Sequence, residues 1–377
     1  MKKLLLVGGG HAHVEVLRQF GEQRPPNTEI ILVSPDRHTP YSGMLPGLVA
    51  GHYTFDECHI DLQPLAAGAG ARFILAEARA LNAAQRTVAL SNDDILNYDL
   101  LSINTGSTPI VNGIPGAKEH GILVKPVSAF LKHWAFLIER VRKGEVRRIA
   151  VVGGGAAGVE TLLAMQFFLA HQTPRREVEY HLLTDAPHVL AQHPHGVRAR
   201  VAHNLARKAV QVHCGLRVTR VDAQTLIARD AQDREQHVAA DATVWVTGAE
   251  PPPWLASSDL ALNDKKFINQ NKYLQSTSHK EIFAAGDCAT VENVVYPKSG
   301  VYAVRQGPVL ARNLRAALNG QSEQALQIYT PQSRALALIS TGERHAIASW
   351  GPLAFHGNWV WRWKDSIDRA FMGRYRD

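Results

Sequence analysis

Residues 2–13 read KKLLLVGGGHAH, an apolar run that ends in three glycines and leads into a helix-compatible segment. The run 4–7 predicts a buried strand and residues 14–20 predict a helix, so the glycines form a tight strand-to-helix turn. Such a turn presents backbone N–H groups and the positive end of a helix dipole to a dinucleotide pyrophosphate. The third glycine of this motif falls on His13, so this stretch alone is a weak indicator of dinucleotide binding.

The length and composition indicate a globular chain with more than one domain. With 377 residues, 45% hydrophobic and 20% charged, the chain is long enough for two or three domains and is not a disordered sequence. No apolar run of about 18 residues occurs, which predicts no transmembrane helix, and the run 4–7 is too short for a signal peptide. We therefore expect a cytoplasmic protein, or one on the cytoplasmic face of a membrane.

The net charge and the cysteine content indicate which kinds of ligand and partner to expect. The formal net charge of +7 predicts either a solvated basic surface or attraction to anionic ligands or an anionic membrane. No nucleic-acid motif accompanies this charge, so we expect no nucleic-acid partner. Cys58, Cys214 and Cys288 are too widely spaced for a disulfide framework, a zinc site or a dithiol pair, and we expect no metal.

A second, complete copy of the opening motif follows later in the chain. Residues 147–160 read RRIAVVGGGAAGVE, again an apolar run, a glycine turn and a helix-compatible segment. All three glycines of the motif are present, namely Gly153, Gly155 and Gly158. Two strand–glycine–helix units are far more specific than one and predict an α/β chain with two dinucleotide-binding units.

The residues expected beside the two ribose groups are less decisive. After the second strand of the first unit the chain offers Ser34 and Asp36, and after that of the second unit it offers Thr184 and Asp185. A Glu at this position usually indicates NAD, and a nearby Arg indicates NADP. The choice between NADH and NADPH therefore stays open.

Two further strand ends carry residues suited to a bound nucleotide. Thr105 and Gly106 follow one apolar run, and Gly286 and Asp287 follow another. The carboxylate of Asp287, at the end of the second run, is well placed to accept a hydrogen bond from a ribityl hydroxyl. A long helix is predicted to begin near Tyr302, with its positive end toward whatever Gly286 and Asp287 hold.

The connecting stretches also carry predictions. Residues 38–51 are rich in Gly, Pro and Tyr and predict an irregular loop close to a ligand. Residues 72–75 and 87–90 predict an antiparallel hairpin or β-meander, and residues 207–241 predict a β-meander that completes the second unit.

This order of motifs resembles the FAD-dependent pyridine nucleotide–disulfide oxidoreductase superfamily over residues 1–325. The resemblance implies an α/β fold with two Rossmann-like, three-layer dinucleotide-binding domains and a small C-terminal α+β or helical segment. It implies an FAD-binding domain from 1–118 and 250–325, an NAD(P)H-binding domain from 119–249, and a C-terminal segment from 326–377.

The same resemblance assigns binding residues. It implies FAD contacts at Gly8, Gly9, Gly10, His11, Ala12, Ser34, Asp36, Ala78 on the adenine side, Thr105, Gly106, Gly286 and Asp287. It implies contacts of the NAD(P)H co-substrate at Gly153, Gly155, Gly158 and Glu160.

Within the superfamily, the chain resembles the type II NADH dehydrogenase branch, which reduces quinones. The stretch 32–46, LVSPDRHTPYSGMLP, is similar to the FAD-proximal loop of that branch. The disulfide and sulfide:quinone branches carry cysteine pairs that this chain lacks. The opening GGGHAHVE and the ending WKDSIDRAFMGRY look more specifically like a subgroup found fused to selenophosphate synthase. Members of the branch carry two glutamines near the quinone. This chain has Val301 and Arg305 at the corresponding positions, which leaves the identity of the electron acceptor open.

The resemblance implies hydride transfer from NAD(P)H through FAD to a quinone-like acceptor. Candidate catalytic residues on the acceptor side are Lys298, Tyr302 and Arg305. One alternative is an FAD oxidoreductase that acts on another small sulfur, selenium or organic substrate. The other is a non-catalytic FAD-binding redox or interaction protein.

The last segment of the chain is rich in tryptophan and arginine. Trp359, Trp361 and Trp363 lie among basic residues, and residues 364–375 predict a helix. One face of this helix is predicted to carry Ile367, Ala370, Phe371 and Tyr375. Aromatic residues beside basic ones suit a helix that lies in a membrane interface. The alternatives are that the helix packs on the FAD domain or on the partner subunit of a homodimer.

Overall fold

The computed structural model describes residues 1–174, 177–294, 296–332 and 336–376 of the chain. The helices are α1 (His11–Glu22), α2 (Leu45–Val49), α3 (Phe55–Cys58), α4 (Leu62–Gly68), α5 (Ala117–His120), α6 (Val127–Lys143), α7 (Ala156–Gln172), α8 (His195–Arg207), α9 (Gly300–Leu318) and α10 (Asn358–Met372).

The strands are β1 (Lys2–Val7), β2 (Thr28–Ser34), β3 (His38–Pro40), β4 (His59–Asp61), β5 (Ala71–Leu75), β6 (Ala78–Asn82), β7 (Thr87–Leu90), β8 (Ile95–Asn97), β9 (Leu100–Ile103), β10 (Thr108–Pro109), β11 (Gly121–Leu123), β12 (Arg148–Val152), β13 (Glu179–Thr184), β14 (Val210–Cys214), β15 (Arg217–Asp222), β16 (Thr225–Arg229), β17 (Glu235–Ala239), β18 (Ala242–Trp245), β19 (Ala249–Glu250), β20 (Ile268–Gln270), β21 (Ile282–Ala284), β22 (Ala289–Val291), β23 (Ala337–Ser340), β24 (Ala346–Trp350) and β25 (Leu353–Gly357).

The first sheet is parallel, with strand order β21-β9-β1-β2-β5. Its central strand is buried on both faces, as the continuous apolar run of a parallel sheet requires. Leu4 and Leu6 pack with α1 and α9 on one side, whereas Leu5 and Val7 pack against the antiparallel meander β6-β7-β8 on the other. Helices, sheet and meander form three layers.

The second sheet repeats this arrangement with the order β11-β18-β12-β13-β14, also parallel. Ile149 and Val151 of β12 pack with α6 and α7, and Ala150 and Val152 pack against the meander β15-β16-β17. The chain therefore contains two Rossmann-like, three-layer units, as the sequence predicts.

The C-terminal segment spans both units. Its antiparallel sheet β23-β24-β25 sends Ile339 and Ile347 into the core of the second unit. Helix α10 sends Val360, Trp361 and Phe371 into the core of the first unit. None of the helices in the described ranges has the length and apolar character needed to cross a bilayer.

The predicted apolar face of the last helix is partly buried and partly exposed. Phe371 is buried and its ring stacks on Tyr41 at 4.3 Å, whereas Ile367 and Ala370 are exposed and Tyr375 is half-buried. The large apolar residues that α10 exposes are Trp359, Trp363 and Ile367, at four-residue spacing.

Two predictions about connecting stretches also differ from the structure. Residues 71–75 form β5, a parallel edge strand beside β2, and only residues 87–90 belong to a meander. Residues 38–51 contain β3 and α2 rather than an irregular loop, because β3 pairs with β4.

Candidate active site

The predicted FAD residues gather at one edge of the first sheet. Strands β1, β2, β9 and β21 are parallel neighbours, so the segments that follow them meet at their carboxyl ends. These segments carry Gly8–Ala12, Ser34, Thr105 with Gly106, and Gly286 with Asp287. Ala78, which begins β6, is buried under the meander side of the same sheet.

Backbone contacts explain the first glycine. Gly8 has φ +97°, and a Cβ there would lie 2.4 Å from the carbonyl oxygen of Asn104 and 2.8 Å from the Cα of Thr105. Any side chain would therefore collide with the backbone of the segment after β9. The close approach brings Thr105 and Gly106 beside the first turn.

Asn104 joins three segments of this edge, a role that sequence reasoning missed. Its Oδ1 accepts hydrogen bonds from the backbone N–H groups of Ala12 (3.1 Å) and His13 (3.3 Å). Its Nδ2 donates to the carbonyl of Ala285, directly before Gly286 (2.7 Å). Asn104 therefore caps α1 and fixes the distance between the glycine turn and the Gly286–Asp287 turn. The only sequence feature that points to this role is the position of Asn104, directly after β9 and directly before Thr105 and Gly106.

His13 occupies the place of the third glycine as a fully buried side chain. Its Nδ1 lies 2.6 Å from the carbonyl oxygen of Gly8 and its Nε2 lies 2.8 Å from the Oγ of Ser102. Burial lowers the pKa of His13 to about 4, so the imidazole is neutral at physiological pH. Since Gly8 offers only an acceptor, Nδ1 carries the proton and Ser102 donates to Nε2.

Asp287 is held by two partners. Its Oδ2 accepts from the Ser107 hydroxyl (3.2 Å) and forms an ion pair with Lys125 (2.9 Å), whose ammonium also reaches Ser107 (3.1 Å). Lys125 follows β11 of the second unit, so this pair connects the two units next to the predicted ribityl position. The sequence assigned no role to Ser107 or Lys125 in holding Asp287.

The residues around this edge fit a bound FAD. Among the residues that the structure describes, the Nε2 of His11 and the Oγ1 of Thr105 are buried without a hydrogen-bond partner, and no atom lies within 4 Å of a Cβ built on Gly106. Buried polar atoms are normally paired, so these two have the character of ligand-binding groups. Desolvation lowers the pKa of His11 to about 4, which makes it a neutral hydrogen-bonding group.

The second turn has the same backbone shape with all three glycines. Gly153 has φ +130°, and a Cβ on Gly158 would lie 1.8 Å from the carbonyl oxygen of Gly153. Nothing lies within 4 Å of a Cβ built on Gly155, so the middle of this turn is open for a pyrophosphate. Glu160 accepts from the backbone N–H of Ser340 (2.8 Å), and burial raises its pKa. Its contact with NAD(P)H stays a prediction.

The ribose positions differ between the two units. The Ser34 hydroxyl donates to the carbonyl of Asp36 (2.9 Å), and the Asp36 carboxylate accepts from Ser128 of α6 (2.9 Å). In the second unit the Thr184 hydroxyl accepts from the N–H of Ala186 (3.3 Å), and Thr184 packs under Gly154.

The three candidate catalytic residues differ in exposure, and two of them, Lys298 and Tyr302, share the ring of Tyr296 as a neighbour. The Lys298 ammonium is half-buried and donates to the carbonyl of Ala289, and Tyr302 is buried with its ring stacked on Tyr296 at 5.0 Å. Arg305 is exposed one turn further along α9. Their catalytic roles stay predictions.

Two glycine turns at the carboxyl ends of two parallel sheets define a flavin- and nicotinamide-dependent oxidoreductase. A family model for the pyridine nucleotide-disulphide oxidoreductases matches residues 2–307, and the chain belongs to this family. It therefore binds FAD and takes NAD(P)H as co-substrate.

Relatives and solved structures agree with this assignment. The chain is 27% identical over 355 residues to demethylphylloquinone reductase NdbB of Synechocystis, across 90% of this chain and 85% of that protein. It is 20% identical over 344 residues to a type II NADH:quinone oxidoreductase of Staphylococcus epidermidis, across 86% and 85%. It shares its fold with the sulfide:quinone oxidoreductase of Aquifex aeolicus (TM-score 0.81, 20% identity, 100% of this chain and 92% of that chain). NDH2 of Plasmodium falciparum in complex with NADH is equally similar in fold (TM-score 0.81, 13% identity, 99% and 98%).

Proposed function

We propose that this protein passes reducing equivalents from NAD(P)H through FAD to a quinone-like acceptor. The observation that carries the proposal is a complete nicotinamide-type turn in a chain whose three cysteines are all free. With no dithiol available, reduced flavin has to transfer its electrons directly to an external acceptor. The similarity to NdbB and to type II NADH:quinone oxidoreductases favours a quinone for this acceptor.

The chain's own residues contribute binding and orientation. FAD, when bound, supplies the two-electron carrier between the nicotinamide and the acceptor. The first turn and the Asp287–Ser107 pair hold the pyrophosphate and ribityl ends, and the turn at Gly153 holds the nicotinamide nucleotide. The Lys125–Asp287 ion pair (2.9 Å) keeps the two units in register.

Anaerobic rapid mixing tests this proposal. NADH or NADPH should bleach the flavin absorbance of the purified holoenzyme, and the faster nucleotide identifies the co-substrate. A short-chain quinone should then reoxidise the reduced flavin faster than a persulfide or a selenium compound does. Failure of both nucleotides to bleach the flavin contradicts the proposal, and faster reoxidation by a persulfide or selenium compound supports the alternative of another small substrate.

We further propose that the protein contacts the cytoplasmic face of a membrane through its C-terminal segment. Six exposed apolar residues support this surface: Trp350, Leu353, Phe355, Trp359, Trp363 and Ile367. The exposed Arg362 and Arg374 lie in the same segment, and aromatic residues beside basic ones favour an anionic lipid interface.

Vesicle flotation tests the membrane contact. The protein should float with vesicles that contain phosphatidylglycerol, and the double variant Trp359→Ser, Trp363→Ser should float much less. Phe136→Ser, which removes an even more exposed aromatic residue from α6, is the control and should float like wild type. A dimer in solution that dissociates in the tryptophan variant would show that this surface binds a second copy instead.

A further inference from the structure

Lys298 is a half-buried cation close to the Gly286–Asp287 turn. Its ammonium lies 4.3 Å from the ring centroid of Phe267 and 5.4 Å from that of Tyr296, and it donates to the carbonyl of Ala289. All three contacts are with groups of the protein itself.

The charge of Lys298 has no carboxylate partner within 4 Å in the part of the chain that the structure describes. Asp287, the carboxylate whose charge acts on Lys298, is already paired with Lys125. The thiol of Cys288 and the phenol of Tyr296 also face Lys298, and burial raises the pKa of both, so they stay neutral. Desolvation in turn lowers the pKa of Lys298 to about 8.

The position of this cation is specific. Its hydrogen-bond acceptor, Ala289, begins β22 directly after the Gly286–Cys288 turn that is predicted to hold the ribityl chain. A cation placed in a low-dielectric environment is unfavourable unless a compensating negative charge is present or arrives. Reduction of FAD by two electrons with uptake of one proton brings such a charge, because the product FADH⁻ is an anion.

We propose that the Lys298 ammonium acts electrostatically on the flavin, stabilising reduced FAD over oxidised FAD and so raising its two-electron potential. This inference rests on the proposed function only in requiring FAD at the Gly286–Asp287 turn. The positive charge of Lys298 then shifts the midpoint potential of the flavin without a direct contact. The rings of Phe267 and Tyr296 and the Ala289 carbonyl hold this charge in place.

The flavin midpoint potential tests this directly. It is measured on the holoenzyme with xanthine and xanthine oxidase as reductant and a reference dye, so that neither NADH nor a quinone is needed. Lys298→Met, which keeps the length and removes the charge, should lower the potential by about 30 mV, equivalent to a tenfold loss of preference for reduced FAD. Lys298→Arg should stay near wild type. Lys265→Met, which removes an exposed lysine, is the matched control and should not change the potential.

Equal potentials for Lys298→Met and Lys265→Met in FAD-loaded protein would overturn the inference. Because the reductant is independent of NADH, this result is distinct from a failure of NAD(P)H to bleach the flavin.

If Lys298→Met does not retain FAD, the pH dependence of the midpoint potential in wild type and Lys298→Arg tests the same inference. The anionic reduced flavin should raise the pKa of Lys298, so reduction above about pH 8 takes up an additional proton there. The slope of midpoint potential against pH should therefore roughly double above pH 8 in wild type and stay unchanged in Lys298→Arg. The same slope in both proteins contradicts the inference.

Discussion

The two glycine turns of this chain have one backbone design and two different packing solutions. In the second turn, Gly158 touches the carbonyl of Gly153 so closely that a Cβ would lie 1.8 Å from its oxygen. In the first turn the equivalent residue is His13, and the equivalent carbonyl, that of Gly8, accepts a hydrogen bond from the imidazole at 2.6 Å. Direct backbone contact in one unit is replaced by a side-chain hydrogen bond in the other.

The middle glycines of the two turns, Gly10 and Gly155, also differ in what surrounds them. A Cβ on Gly10 would lie 2.2 Å from the Oδ1 of Asn104, which caps α1, whereas the space beside Gly155 is open. The first turn is therefore fixed by the protein's own side chains, as suits a resident cofactor. The second turn leaves its space to the ligand, as suits a co-substrate that binds and departs. The difference shows that a missing motif glycine does not by itself argue against a nucleotide site.

The largest effect is expected from Gly158→Ala. The new methyl group would overlap the Gly153 carbonyl, so we expect a loss of about 3 kcal/mol of stability and of flavin reduction by NAD(P)H. Thermal unfolding and anaerobic stopped flow measure these effects. Gly155→Ala is the matched control, since its methyl group meets no atom of the described residues within 4 Å. It should keep wild-type stability and weaken only nucleotide binding. Equal melting temperatures for both variants would contradict this account of the second turn.

His13→Ala should have the next largest effect. It leaves a cavity and removes the partners of the Gly8 carbonyl and the Ser102 hydroxyl, which we expect to cost about 2 kcal/mol and to weaken FAD retention. Chemical denaturation monitored by FAD release provides the measurement. His188→Ala removes an exposed imidazole and should be neutral.

The buried imidazole also predicts a pH dependence. The pKa of His13 is about 4 in the folded protein and near 6.5 when unfolded, so the unfolded chain binds more protons between these values. Its contribution to stability is complete above pH 6.5 and is lost as the pH falls toward 4. The loss of stability between pH 6.5 and 4 should therefore be smaller in His13→Ala than in wild type. An identical pH profile for the two proteins would show that His13 is not buried as a neutral group.

Much of this architecture follows from local sequence signals. Both glycine turns, the strand ends at Thr105 and Gly286, and the start of α9 are set by apolar runs and glycine positions. These signals lie within short continuous stretches of the chain, which is why two units could be predicted.

The remaining features depend on contacts between distant segments. The bonds of Asn104 to Ala12 and Ala285, and that of Lys125 to Asp287, join residues far apart in the chain and leave no periodic signal. Which residues of the predicted α10 face are buried depends on such a contact too, the stacking of Phe371 on Tyr41.

Asn104→Ala tests how much the side chain that packs against Gly10 contributes to the first turn. It removes the acceptor for two α1 amides and the donor to Ala285, for an expected loss of about 1 kcal/mol of stability and weaker FAD binding. Asn104→Asp keeps the acceptor and should preserve the cap while losing the link to Ala285. Fluorescence titration of the apoprotein with FAD ranks the three proteins. If Asn104→Asp binds FAD as weakly as Asn104→Ala, the link to Ala285 matters more than the cap.

The smallest effect is expected from Lys125→Met. The ammonium of Lys125 is 38% exposed, so its ion pair with Asp287 is screened by solvent and contributes well under about 1 kcal/mol to stability. We expect an unchanged melting temperature, because Ser107 still donates to the Asp287 carboxylate. The variant should instead lose coupling between the units, measured as slower flavin reduction at saturating NAD(P)H with normal FAD content. A large drop in melting temperature would show that this pair supports the fold, which would make the boundary between the units as rigid as the first glycine turn.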